Sequence, residues 1–227
     1  MSDPLLYTPP GCVLYLDLRK PDGEYLRDYS GHGNHGVIHG ARLEHRHPLW
    51  GLSFDGVDDY VEVHDPNGVL AFTGDFTISL LFARDDETGT WKTLVEYNRG
   101  GTNWYGMWIS PTGKFHINLR GSVITCKYCE LNRWYHFVGV YSKVDPSHYN
   151  AKMFVDGVLI AEATVERTLE KRPDKLTIGL NCDHEEPYPG YILLVRIYNR
   201  ALSGEEIKRC FESIEQRILR RVVGHVL

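Results

Sequence analysis

The stretch from Trp134 to Leu159 constrains the fold more than any other. Trp134-Tyr135-His136-Phe137-Val138-Gly139-Val140-Tyr141 is rich in aromatic and β-branched residues and contains no proline, which is the composition of a strand inside a sheet. A polar, proline-broken loop follows over 143–150, and then two short apolar runs, Met153-Phe154-Val155 and Val158-Leu159-Ile160, flank Asp156-Gly157. An Asp-Gly pair in that setting is the strongest short-range signal for a two-residue hairpin. The middle of the chain therefore reads as an antiparallel meander. An all-β chain of 227 residues fits one sandwich with a sizeable core.

The charge balance narrows the function classes. With 25 basic and 30 acidic residues the net charge is -5, and no basic stripe appears before the last dozen residues, which argues against a nucleic-acid partner held by phosphate neutralisation. Residues 1–12 lack the charged start and long apolar core of a secretory signal, and no apolar run is long enough for a bilayer. The expectation is a soluble chain with no membrane insertion. Five cysteines, an odd number, do not form a disulfide framework for a domain this large. Cys126-Lys127-Tyr128-Cys129 reads as structural thiols, because a zinc site needs further ligands and strand geometry sends positions three apart to opposite faces.

Four motifs occur in order. They are Asp28-Tyr29-Ser30-Gly31-His32-Gly33-Asn34-His35-Gly36, Phe54-Asp55-Gly56-Val57-Asp58-Asp59-Tyr60-Val61, the Trp134 strand with its Val155-Asp156-Gly157 hairpin, and Val195-Arg196-Ile197-Tyr198-Asn199-Arg200-Ala201-Leu202-Ser203. Together they resemble the laminin G-like jelly-roll domains of the concanavalin A-like lectin and glucanase superfamily, over about residues 11–211. The resemblance implies an antiparallel jelly-roll β-sandwich closed by a short C-terminal α-helix. It also implies work at an extracellular surface or, since this chain shows no signal, on a virus particle. The expected organisation is an N-terminal extension over 1–10, the sandwich over 11–203, and a C-terminal helix and tail over 204–227.

In the resembled family the Asp of the Asp-x-Ser-Gly motif commonly helps to hold a structural calcium ion, together with loop carbonyls and an acidic residue near the last strand. That makes Asp28 and Asn34 the candidate calcium ligands. The chain departs from the pattern at the other end, where Leu193 and Leu194 stand at usually acidic positions. Asp28 can instead cap its turn by accepting backbone amides, and folding is expected to require no cofactor. His32, His35, His39, His45 and His47 crowd the same region, but their spacing suits no fixed metal geometry. They read as a titratable loop.

A glycoside hydrolase needs two carboxylates flanking the sugar. The glucanases of the resembled superfamily carry theirs alternating along one strand, and no segment here has that alternation. Asp55, Asp58 and Asp59 cluster at a turn between strands expected over 50–54 and 58–63. Asp85-Asp86-Glu87-Thr88-Gly89-Thr90-Trp91 resembles the Asp box of sialidases without its serine, and reads as a hairpin tip between strands over 75–82 and 93–97. The chain is therefore expected not to be an enzyme.

The leading site candidate is Asn98-Arg99-Gly100-Gly101-Thr102-Asn103-Trp104, which combines amides, a guanidinium and an indole with glycine freedom. Aromatic rings stack on the apolar faces of sugars while amides bond the hydroxyls. If a strand begins at Trp104, then positions 104, 106 and 108 share one face and 105, 107 and 109 the other, and one of the two is core. Lys114 to Arg120 alternates cleanly, so one face of that strand is wet. Asn98, Arg99, Asn103 and Trp104 are the expected ligand contacts, joined by Asp183, His184 and Tyr188 from a second rim loop before the last strand.

Ser203-Gly204-Glu205-Glu206 is a capping box. Ile207, Cys210, Ile214, Ile218 and Val222 then form an apolar stripe longer than closing the sandwich needs. It is expected to dock on its own sandwich or to mediate a homo-oligomer contact. The function expected is non-catalytic recognition of a glycan or glycosylated surface. The alternative is a structural subunit of a virus particle or surface appendage, and glycoside hydrolysis comes third.

Overall fold

The computed structural model describes residues 6–85, 89–98, 101 and 104–223, with side chains in the C-terminal helix as far as Gln216. Among the described residues the strands are β1 (Cys12–Asp17), β2 (Tyr25–Leu26), β3 (Gly36–His39), β4 (Arg42–Arg46), β5 (Leu49–Asp55), β6 (Tyr60–His64), β7 (Phe76–Arg84) and β8 (Lys92–Tyr97). They continue as β9 (Tyr105–Ile109), β10 (Lys114–Leu119), β11 (Ser122–Tyr128), β12 (Trp134–Asp145), β13 (His148–Val155), β14 (Val158–Glu166), β15 (Lys175–Ile178) and β16 (Pro189–Tyr198), and a helix α1 (Gly204–Val223) follows. They form an antiparallel jelly-roll sandwich. The back sheet runs β14-β13-β12-β7-β16-β5-β4, with β1 also on β16, and the front sheet runs β11-β10-β9-β8-β15-β6-β3-β2.

The β12–β14 meander lies where expected. Asp156 and Gly157 hold φ of 52° and 78° at the β13–β14 turn, the two positive angles that a tight hairpin requires. The polar loop before it is shorter than its composition suggests, because pairing continues to Asp145↔His148 and leaves Pro146 and Ser147 between the strands. Two expected hairpins are corrected. β5 lies in the back sheet and β6 in the front sheet, so Asp55-Gly56 lies in a crossover between sheets, and β7 and β8 are split in the same way. Jelly rolls alternate sheets at such connections, and local turn chemistry does not distinguish a hairpin from a crossover.

The core fills the space between the sheets with Leu80, Phe82, Val95, Tyr105, Met107, Phe115, Phe137 and Ile197, among others. A third layer lies on the outer face of the back sheet. There Ile207 packs with Val138, Val140, Phe154 and Tyr198, and Ile214 packs with Tyr15, Leu49, Leu81, Leu193 and Leu194. Burial of each such aliphatic side chain is worth roughly 1.5–3 kcal/mol, which explains why the stripe on α1 persists beyond its first turns. The capping box forms as read: Ser203 Oγ accepts the Glu206 amide at 3.2 Å and Glu206 Oε2 accepts the Ser203 amide at 2.9 Å. Among the described residues no helix is long and apolar enough to cross a membrane.

Candidate functional site

Strand register builds the site. Thr125, His116, Trp108 and Thr93 lie side by side across β11, β10, β9 and β8. In the next row the partners are Val123, Asn118, Gly106 and Glu96, continuing to Thr177 on β15. These residues point away from the core, since Tyr105, Met107 and Ile109 take the inward positions of β9. Trp104 enters β9 from one end of the rows, Trp91 enters β8 from the other, and Glu186 arrives from the loop after β15. The result is a cleft of about 430 Å³ lined by Trp91, Trp104, Trp108, His116, Asn118, Val123, Thr125 and Glu186.

Each side chain is held by another. The Trp104 indole N–H donates to Glu96 Oε1 at 2.9 Å, and the Cys182 amide donates to Glu96 Oε2 at 2.7 Å. Glu186 Oε2 accepts both the Trp108 indole and the Thr93 hydroxyl at 3.0 Å. The Trp104 and Trp108 rings meet at 87° with centroids 6.2 Å apart, while His116 lies 4.5 Å from Trp91 and 5.9 Å from Trp108. Burial pushes the His116 imidazole down to about 4 against an opposing pull from Glu186, so the ring is neutral at neutral pH. It shares a hydrogen bond of 2.6 Å with Thr125 Oγ1. Asn118 Oδ1 accepts the Gly121 amide at 2.7 Å, which commits the acceptor end of that side chain to the β10–β11 turn.

The expected site residues divide. Trp104 lines the cleft, and Asn98 is buried at the turn beside it with φ of 48°, its carbonyl accepting the Gly101 amide. Arg99 and Asn103 lie outside the described residues. Asp183 and His184 are exposed, and His184 meets Tyr60 edge-on at 4.8 Å, over β6 and away from the tryptophans. Tyr188 is a correction. It is 1% exposed and its hydroxyl donates to Ala83 O at 2.6 Å, so it belongs to the sandwich interior and not to a rim.

Two carboxylates outside any single-strand alternation hold the indoles of this cleft, Glu96 from β8 and Glu186 from a distant loop. Sequence reasoning missed both, along with Trp91, His116, Asn118, Val123 and Thr125. The available signals were the clean alternation of β10 and the choice of face at Trp104 and Trp108.

Asp28 sits at a separate place. Its Oδ1 accepts the Tyr15 and Ser30 amides at 2.9 and 2.8 Å, and its Oδ2 accepts the Asn34 amide at 3.0 Å and the Ser30 hydroxyl at 2.8 Å. The Asn34 side chain donates to Val13 O at 3.4 Å. These bonds are the turn cap, and the Asn34 amide nitrogen points at a carbonyl. Leu193 and Leu194, at the positions that are acidic in the resembled family, are buried beneath Ile214. The five cysteines are free thiols. Among the described residues, the side chains that gather at metal-ligating distance are Asp55, Asp58 and Asp59 at the β5–β6 crossover.

Residues 55–208 match the family model Laminin_G_3 of the concanavalin A-like lectin/glucanases superfamily. The chain belongs to that superfamily. A search of curated proteins finds no match. Among solved structures, Trypanosoma rangeli sialidase superposes on this superfamily member with a TM-score of 0.71 at 18% identity, covering 92% of this chain and 33% of the sialidase. The botulinum neurotoxin serotype D binding domain does so with a TM-score of 0.68 at 15% identity, covering 89% of this chain and 51% of that one. The receptor binding domain of the C/D mosaic neurotoxin gives 0.71 at 15% identity. The chain thus spans about a third of the sialidase and about half of the toxin domains. At these identities the likeness is one of fold.

Proposed function

We propose that this protein is a non-catalytic glycan-recognition module whose ligand seats in the tryptophan cleft of the front sheet. The observation that carries the reading is the concentration of three indoles on one outward sheet face, two of them fixed by carboxylates. Indoles supply flat apolar surface for the C–H faces of a sugar ring, and the Asn118 amide group and Thr125 hydroxyl offer polar contacts to its edge. A cleft of about 430 Å³ matches the size range of small-molecule sites.

The comparisons support the reading at the level of fold. The neighbours include a sialidase solved with sialic acid and a neurotoxin receptor binding domain. A glycosidase would use one carboxyl group as proton donor and the other as base or nucleophile. Here Glu96 is engaged through both oxygens and Glu186 through Oε2, all as acceptors that orient indoles and loop. That favours binding over hydrolysis.

A broad glycan array probed with wild type and with Trp104→Ala at equal folded concentration tests the proposal. Selective binding that the variant loses is the expected result. Silence from folded wild type defeats it, and release of reducing sugar from a bound glycan would replace the non-catalytic reading with a hydrolase.

A further inference from the structure

Resting on the glycan reading for the carrier of the charge, we infer a second binding site, in which Arg120 and Arg167 hold the sulfate or carboxylate group of an acidic glycan. Both arginines line a pocket of about 560 Å³ with Ser147, Glu166 and Thr168. Three connections meet there. Arg120 and Gly121 hold φ of 47° and 85° between β10 and β11, Ser147 lies between β12 and β13, and Arg167 and Thr168 follow β14. The arginines tie these connections together. Arg120 Nη1 donates to Thr168 O at 2.7 Å, and Arg167 donates from Nε to Arg120 O at 2.8 Å and from Nη1 to Glu166 O at 2.7 Å.

Those bonds fix both guanidinium groups without neutralising them. Arg19, Arg46, Arg133 and Arg200 each pair with a carboxylate, whereas among the described residues the acceptors of Arg120 and Arg167 are backbone carbonyls. A guanidinium carries five N–H donors, and the Nε–Nη2 edge of Arg120 makes no hydrogen bond within the described residues. Arg19 grips Asp17 through that same edge, with both contacts at 2.6 Å, a bidentate geometry that suits sulfate and carboxylate alike. Arg167 adds a further donor, since its Nη2 is uncommitted and stands 4.0 Å from where a Cβ on Gly121 would lie. Two carboxylates lie nearby. Asp145 is engaged by His148 and the Ser147 hydroxyl, and Glu166 is exposed, pairs with neither arginine and opposes a bound anion. The β10–β11 turn also borders the tryptophan cleft, because the Arg120 amide donates to Trp104 O and the Gly121 amide to Asn118 Oδ1, each at 2.7 Å.

The test titrates the intact chain by calorimetry at low ionic strength. The probes are lactose, sulfated lactose, sialyllactose, and sodium sulfate against sodium chloride of equal ionic strength. At least one acidic sugar is expected to bind about tenfold or more tightly than lactose, with an advantage that shrinks as salt is added. Arg120→Lys keeps the charge but removes the planar fork, and should lose most of that advantage. Glu166→Gln removes the opposing carboxylate and should strengthen the acidic sugars by about two- to fivefold; its exposed position keeps the test open should the arginine variant not fold. A larger advantage for sulfated lactose points to sulfate, and a larger one for sialyllactose to carboxylate; either supports the inference. Acidic sugars no tighter than lactose, or an advantage that both variants leave unchanged, overturns the site while the glycan reading stands. Sulfate binding that Arg120→Lys abolishes, with the sugars and the array silent, keeps the anion site and removes the glycan reading. Silence from sulfate and every sugar overturns both.

Discussion

The Trp108 indole and the Thr93 hydroxyl donate to one and the same oxygen, Oε2 of Glu186, each at 3.0 Å. That shared acceptor ties two neighbouring strands of the front sheet to the loop after β15, so the position of the loop and the pose of the ring are set together. Glu186→Ala is expected to cost about 1–3 kcal/mol, the range for removing a charged acceptor from partly buried donors. It should also weaken ligand binding by about tenfold or more as Trp108 loses its anchor. Denaturant unfolding gives the first number and titration the second. A loss of near-ultraviolet circular dichroism without loss of far-ultraviolet signal would place the change at the ring.

Stability should fall on acidification through the histidines. The ordinary imidazole pKa is about 6.5, and burial lowers His116 to about 4 and, with Arg196 adding to the effect, His136 to about 3. Between those limits the unfolded chain binds more protons than the folded one. Stability contributed by these neutral rings is therefore present above about pH 6.5 and is lost progressively as the pH falls toward the folded values. His116→Gln should flatten the slope of unfolding free energy against pH in that window, measured by urea melts at several pH values. An unchanged slope would mean that His116 titrates normally.

At lower pH the helix cap titrates. Hydrogen bonding to Arg200 brings Glu206 down to about 2, with the Ser203 amide adding to it, and the Arg200 contacts are 2.6 and 2.9 Å. A depressed carboxylate stabilises above its unfolded value and loses that contribution as the pH falls through the folded one. Glu206→Gln should remove the pH dependence below about pH 4.5 that the cap supplies, and Ser203→Ala should cost about 1 kcal/mol. Both are read from thermal melts, with helix loss followed at 222 nm.

Much of this fold is legible in the sequence because its signals are local. The Asp156-Gly157 turn, the alternation of β10 and the Ser203 capping box each express a physical rule within a few residues, and each lies where the rule puts it. The cleft is different. Its rows join residues from β8 to β11 and a loop near residue 186, and the choice of face at Trp104 and Trp108 depends on which side the core takes. Tyr188 shows the same limit: a tyrosine in a polar loop reads as a rim residue until Ala83 O, over 100 positions away, supplies a buried acceptor. The Asp55-Gly56 crossover looks like a hairpin for the same reason, since a turn specifies direction without specifying which sheet comes next.

Asp28 offers a test of the turn cap against calcium. With four donors already on its carboxylate, Asp28→Ala should lose several charge-assisted bonds and cost about 2–4 kcal/mol. Millimolar calcium should leave the wild-type melting temperature unchanged. A rise of several degrees that the variant lacks would instead assign Asp28 and Asn34 to a metal site.

Gly106 carries the sharpest steric prediction. A Cβ there would collide with Val95 O and stand 2.7 and 3.0 Å from two atoms of the Trp108 ring. Swinging the indole away relieves only its own contacts; the collision with the Val95 oxygen is with backbone, so β9 must also shift against β8. Gly106→Ala should therefore abolish ligand binding, whereas the fold, built on Tyr105 and Met107 inside the core, survives with a loss of about 1–3 kcal/mol. The Trp108 N–H would leave Glu186 in the process, which a red shift in tryptophan emission would report. Ligand binding unchanged in a folded Gly106→Ala protein would show that Trp108 does not form the floor of the site and would move the ligand toward Trp91 and Trp104.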